Sequence, residues 1–105
     1  MFCIRITDVA ERDIQRNFEW WRDNRSAEQA ARWCEGIFPA IATLTKMPRR
    51  CSLAREADFH DIELRQLQFG IGRRSTHRIL FTIDGDAVVI LKVLHNAQKD
   101  FTEDI

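Results

Sequence analysis

THRILFTIDGDAVVILKVLHNAQKDF, residues 76–101, sets two strand-like runs on either side of Asp84-Gly85 and ends the second in a polar His95-Asn96 pair. His77, Ile79, Phe81 and Ile83 alternate with Arg78, Leu80 and Thr82, which is the period of a strand with two different faces. Asp84-Gly85 is a tight-hairpin signal. AVVILKVL, residues 87–94, is almost wholly apolar, as an interior strand covered on both faces would be. A meander therefore closes the chain and delivers His95 to one of its ends.

Upstream, ELRQLQFG (63–70) supplies a further strand from Arg65, with Leu67, Phe69 and Ile71 opposing Gln66, Gln68 and Gly70. IGRRS reads as the turn that joins it to the hairpin. Residues 49–64 have mixed periodicity, and the reading there is a loop with one short helical turn near Ala54–Phe59. At the N-terminus, FCIRIT (2–7) alternates as a short strand, with Phe2, Ile4 and Ile6 on one face. Asp8 and Glu11 stand at capping-box spacing, which predicts a helix from Val9 to Asp23-Asn24 with Ala10, Ile14, Asn17, Phe18 and Trp21 on one side.

Ser26 and Gln29 predict the start of a second helix with the stripe Ala30, Cys34 or Trp33, Ile37, Ile41, Leu44 and Met47. Gly36 and Pro39 interrupt it, a bend is expected at Pro39, and Pro48 ends it. So short a link between the helices requires an antiparallel helix hairpin. The order is β-α-α-β-β-β: an α+β fold with the helix hairpin packed on a small, mostly antiparallel sheet.

A length of 105 residues with 45% hydrophobic content fits one domain over residues 1–105. No apolar run reaches the roughly 18–20 residues of a membrane span, and no secretory signal is visible. Cys3, Cys34 and Cys51 match neither a disulfide framework nor a zinc pattern. Cys3 and Cys34 lie among apolar residues and read as buried thiols in a reducing cytoplasm.

Sixteen basic and sixteen acidic residues cancel, but eight of the basic ones fall in residues 46–78 against four acids. Such a block either attracts an acidic partner or a nucleic acid, or is solvated surface. His60, Asp61 and Glu63 lack a second coordinating cluster, so no metal or cofactor is expected. Adjacent Trp20 and Trp21 cannot both enter one core, so one is expected on the surface as a partner anchor. Arg16 and Arg22 on the same helix are further partner-contact candidates.

Several segments, taken in order, resemble the RelE/ParE superfamily of toxins from type II toxin–antitoxin modules, the plasmid-stabilisation proteins. They are VAERDIQRNFEWW (9–21), AARWCEGIFPAIATLTKMP (30–48) followed by Arg49, ELRQLQFG (63–70) and HRILFTIDGDAVVILKVLHNAQKDF (77–101). The ILKVLHNAQKD ending and the long helix hairpin are closer to the ParE branch. The resemblance implies a toxin that inhibits DNA gyrase and forms a hetero-oligomer with a cognate antitoxin. The alternatives are a RelE-type, ribosome-dependent mRNA endoribonuclease working without metal, or an inactive toxin-like binding protein. A nuclease would draw its cations from Arg65 and Arg78 and its proton carrier from His95. The absence of tyrosine and the zero net charge weigh against that chemistry.

Overall fold

The structure, a computed structural model, describes residues 1–59 and 61–96, without the side chain of Phe59. Its elements are β1 (Cys3–Ile6), α1 (Asp8–Asn24), α2 (Ala27–Ala42), β2 (Arg65–Phe69), β3 (His77–Asp84) and β4 (Ala87–His95). The sheet order is β1-β4-β3-β2, with β1 parallel to β4 and the other pairs antiparallel. This is the expected α+β arrangement, two helices on a four-stranded mixed sheet.

Local chemistry departs from the sequence reading in several places. The cap of α1 is Thr7, not Asp8: its Oγ1 accepts the Ala10 N–H at 3.2 Å and donates to the Ile90 carbonyl at 2.8 Å. Thr7 thus starts the helix and ties it to β4, while Asp8 and Glu11 lie in the first turn, where negative charge suits the dipole. Ser26 caps α2 as read, accepting from the Gln29 N–H at 3.1 Å. The helix continues through Pro39 to Ala42. A Cβ on Gly36 would stand 3.0 Å from the Phe69 ring, so the glycine lets α2 lie close against β2.

Two of the three cysteines are also reversed. Cys3 is exposed and Cys34, packed at the margin of the core, is only half-buried, whereas Cys51 is the buried thiol and burial pushes its pKa up. The hairpin loop is Gly85-Asp86, one residue later than Asp84-Gly85, because Asp84 still pairs with Ala87. Within this loop Gly85 alone takes a positive φ, of 61°, which matches a turn with glycine first.

The main core lies between the helices and the sheet: Trp33, Ile37, Ile41 and Leu44 from the α2 side meet Ile79, Phe81, Val88, Ile90 and Val93. Met47, expected at the end of that stripe, is 77% exposed. The α-helix has already ended, and a 3-10 turn at Thr43–Thr45 turns the chain away. A smaller core of Ala54, Leu64, Leu80 and Leu94 fills the opposite face, under the segment that carries 3-10 turns at Pro48–Arg50 and Arg55–Phe59. The helical turn read near Ala54–Phe59 is the second of these.

Pro48 disfavours the right-handed helical region at Met47, and the chain reverses there with Met47 in the left-handed region, at φ 48°, ψ 54°. A non-glycine residue pays strain there, and the side chain has almost no packing to lose. Met47→Gly is expected to raise stability by about 0.5–1 kcal/mol in urea denaturation. A loss of stability would show that the exposed Met47 side chain packs after all.

Candidate functional site

The two faces of the sheet carry separate polar constellations. Beneath the helices, His77 is 1% exposed and joins three elements. Its Nε2 lies 2.9 Å from Asn17 Oδ1 on α1, and its Nδ1 lies 2.7 Å from Thr76 Oγ1 and 3.3 Å from Trp33 Nε1 on α2. An indole N–H can only donate, so Nδ1 is the acceptor and Nε2 carries the ring proton to Asn17. Asn17 Nδ2 in turn donates to the Asp13 carbonyl at 2.7 Å, which orients its amide. Burial first, and the neighbouring His95 second, lower the His77 pKa to about 4. His77 is a neutral packing group, in line with its place on the apolar face.

His95 is the direct register partner of His77 across β3 and β4, with ring centroids 5.0 Å apart. It is half-buried and also faces Trp20 at 6.0 Å. Trp20 is 43% exposed, stands edge-on to Trp21 at 5.5 Å and has the Arg25 guanidinium over its ring at 5.7 Å. Trp21 is 8% exposed. The helix places consecutive side chains about 100° apart, so one tryptophan enters the core and the other is left at the surface. Of the arginines on α1, Arg16 is exposed and bonds Asp13 at 2.9 Å, and Arg22 bonds its neighbour Asp23 at 3.0 Å. Next to this corner, Ile14, Phe18, Cys34 and Phe38 line a groove of about 400 Å³ between the helices, flanked by Glu11 and Gln15.

The other face carries Arg78. Its guanidinium donates to Glu56 Oε1 at 2.9 Å and Oε2 at 2.6 Å, and to Gln66 Oε1 at 3.0 Å. Glu56 is 0% exposed, and Arg78 holds its carboxyl below the usual carboxylate range. Arg65 donates to Glu63 at 2.6 Å and to the Cys51 carbonyl at 2.6 Å, while Arg49 grips the same Glu63 with two bonds. Arg50 bonds the carbonyls of Thr43, Lys46 and Met47, neutralising carbonyls at the end of the second helical stretch. Much of the basic block at 46–78 is thereby committed to holding the segment 48–64 on the sheet.

Arg65, Arg78 and His95 are not gathered at one place. Arg65 pairs with Phe81, three residues (about 10 Å) along β3 from Arg78. Arg78 points to the face of Leu80 and Leu94, and His95 to the face of Val93 and the helices. Among the described residues no His, Cys, Asp and Glu cluster could hold a metal ion. Of the metal-site residues considered from sequence, His60 lies outside the described residues, and Glu63 is taken by the two arginines.

Three polar residues that organise this architecture carry weak signals in sequence. Asp13 is 5% exposed: its carboxylate accepts the Val93 N–H at 3.0 Å and Lys92 Nζ at 3.3 Å. β1 ends at Ile6, opposite Ile90, so the β4 edge beyond it lacks a strand partner and Asp13 supplies the acceptor. Its signal was its position between Ala10 and Asn17 on the inward stripe. Glu56 and Lys92 had no comparable signal, since each is explained by a partner far along the chain.

The fold is thus a helix hairpin on a four-stranded sheet, with Trp20 exposed at one corner and with Arg65, Arg78 and His95 held apart. The sequence matches the family described as ParE toxin of the type II toxin–antitoxin system, parDE, over residues 4–100, and the chain belongs to that family. No curated protein sequence matches it significantly. Nine solved chains are significantly similar in structure. One is from the chromosomal ParDE toxin–antitoxin system of P. aeruginosa, with a TM-score of 0.69, 17% identity, and coverage of 90% of this chain and 96% of that one. At that identity the likeness is one of fold.

Proposed function

We propose that this chain, acting as one unit over residues 1–105, inhibits DNA gyrase and is neutralised in the cytoplasm by a cognate antitoxin within a hetero-oligomer. Membership of the ParE family supports the toxin role. The observation that carries the choice of target is the bidentate Arg78–Glu56 pair on the face away from His95. A metal-free nuclease needs a cation and a proton carrier converging on one phosphate, and these groups do not converge. No helix among the described residues is long and apolar enough to cross a membrane.

The antitoxin contact is best supported at the helices, where Phe38 is 46% exposed beside the groove and Trp20 offers a large aromatic anchor. Arg16 and Arg22, both on the outer side of α1, would lie at the rim of that contact. The P. aeruginosa structure, a ParDE system by its description, is consistent with such a partner.

A gyrase supercoiling assay run beside a translation-coupled mRNA cleavage assay tests the target. Inhibition of supercoiling without cleavage is expected. Cleavage that disappears in Arg78→Ala or His95→Ala would overturn the reading in favour of a nuclease. No response in either assay, with harmless expression in the absence of an antitoxin, would make the chain an inactive binding protein. Trp20→Ala is expected to weaken partner binding about thirtyfold, with the melting temperature little changed because the ring is already partly in solvent.

A further inference from the structure

α1 and β4 run side by side in the same direction: Asp13 accepts the Val93 N–H at 3.0 Å, and two helical turns further on Trp20 faces His95 at 6.0 Å. β4 stops at His95, while the helix continues through Trp21 to Asn24. The last turn of α1 therefore overhangs the end of the sheet. Asn96 fixes where the chain leaves: its N–H donates to the Thr76 carbonyl at 2.8 Å and its Nδ2 to the Ser75 carbonyl at 2.9 Å. The stretch that follows, AQKDFTEDI at 97–105, lies outside the described residues.

Two groups on the overhang lack a counterpart. The Trp21 indole N–H is shut off from solvent and has no acceptor among the described residues, an unfavourable state for a buried donor. Beside it, Trp20 leaves a large aromatic ring partly in water, with the Arg25 guanidinium 5.7 Å from its centre. Residues 97–105 carry the matching chemistry, since Phe101 stands between the acids Asp100 and Glu103. Phe101 follows Asn96 by five residues, a reach of about 17 Å when extended. That exceeds the 6.0 Å between the His95 and Trp20 rings.

We infer that residues 97–105 fold back as a strap over the end of α1. Phe101 packs on the exposed side of Trp20, a main-chain carbonyl of the strap accepts the Trp21 indole N–H, and a flanking carboxylate meets Arg25. A second copy of the chain carries the same groups, but Asn96 delivers this segment to the corner at a high effective concentration, which favours the contact within one molecule. The strap covers the ring on which a partner would anchor, so that partner has to displace it. Only this displacement rests on the function proposed above; the strap itself is read on the free chain, with neither gyrase nor an antitoxin present.

The indole N–H signals of the three tryptophans are followed by NMR in the full chain, with Trp33, which donates to His77, as the internal reference. A nuclear Overhauser contact between the Phe101 ring and the Trp20 indole is expected. Phe101→Ala, and separately a chain ended after Asn96, are each expected to shift the Trp20 signal. Both are also expected to speed exchange of the Trp21 indole about tenfold, with Trp33 unchanged. Arg25→Glu is expected to change the same two signals in the same direction by less. Phe101→Ala keeps the test decisive if the shortened chain does not fold.

No contact between Phe101 and Trp20, or Trp20 and Trp21 signals unchanged in both variants, would overturn the inference. So would a Trp21 indole that exchanges equally with and without residues 97–105 and shows a contact to a bound water, which would make water the acceptor. A Phe101–Trp20 contact that disappears on dilution would make a second copy the occupant, and would also overturn it.

Discussion

Glu56→Ala is expected to destabilise the protein by about 3–5 kcal/mol, because it leaves a buried arginine without its carboxylate. Arg78 is 6% exposed and Glu56 0%, so water cannot replace the lost partner. Gln66 Oε1, at 3.0 Å, also accepts from the guanidinium but carries no charge to balance it. Glu56→Gln keeps one acceptor oxygen and is expected to cost less. Replacing both partners by apolar groups, Glu56→Leu with Arg78→Met, is expected to recover much of the loss, since neither charge is then left buried. Urea denaturation of the four proteins measures these differences. A cost below about 1 kcal/mol for Glu56→Ala would place the pair in the range of exposed, solvent-screened bridges and contradict its burial.

The same pair makes stability depend on acid. Arg78 lowers the Glu56 carboxyl below its ordinary 4.5, and Arg49 and Arg65 do the same for Glu63. Groups of this kind contribute stability above their unfolded pKa and lose it as the pH falls further.

His77 acts in an earlier window, and loss of about 3 kcal/mol is expected as the pH falls from about 6.5 to about 4. The folded pKa of about 4 lies below the ordinary 6.5, so between these values the unfolded chain binds the proton and the folded chain does not. Stability from this residue is therefore complete above the unfolded pKa and has gone once the pH reaches the folded one. Burial comes first among the causes and the neighbouring His95 second, and hydrogen-bond direction adds to them: a proton on Nδ1 would oppose the Trp33 N–H, which already donates to that atom. His77→Gln, which cannot titrate, is expected to flatten the pH dependence of the urea midpoint across this window. A wild-type midpoint that stays level from pH 6.5 to 4 would show that the imidazole can be protonated in place.

What could be read from the chain beforehand was whatever repeats within a few residues. The alternation from His77 to Ile83, the capping serine at Ser26 and the 3–4 residue stripe through Ile37 and Ile41 each reflect a local backbone period, and they located both helices and all four strands. Errors came where a neighbour distant in sequence intervened. Thr7 replaced Asp8 as the cap because it also reaches the Ile90 carbonyl. The hairpin loop moved by one residue because Asp84 pairs with Ala87 and β1 takes the Asp86 carbonyl through the Cys3 N–H.

The candidate site was less legible for the same reason. Arg78 could be named as a cation, but its partner Glu56 lies 22 residues away, and Asp13 lies 79 residues from Lys92. No periodicity links such positions, because the contact exists only after the sheet has closed and the segment 48–64 has folded across it. Trp20 and Trp21 are an intermediate case: adjacency on a helix required one to face outward, and only packing against β4 selected Trp20. The order and type of the elements, the family and the place of His77 on an apolar face were thus legible in the chain alone, all consequences of local pattern. Only the folded chain fixes which charges are consumed internally and sets Arg78 and His95 on opposite faces, because those facts depend on strand register and on which segment covers which face.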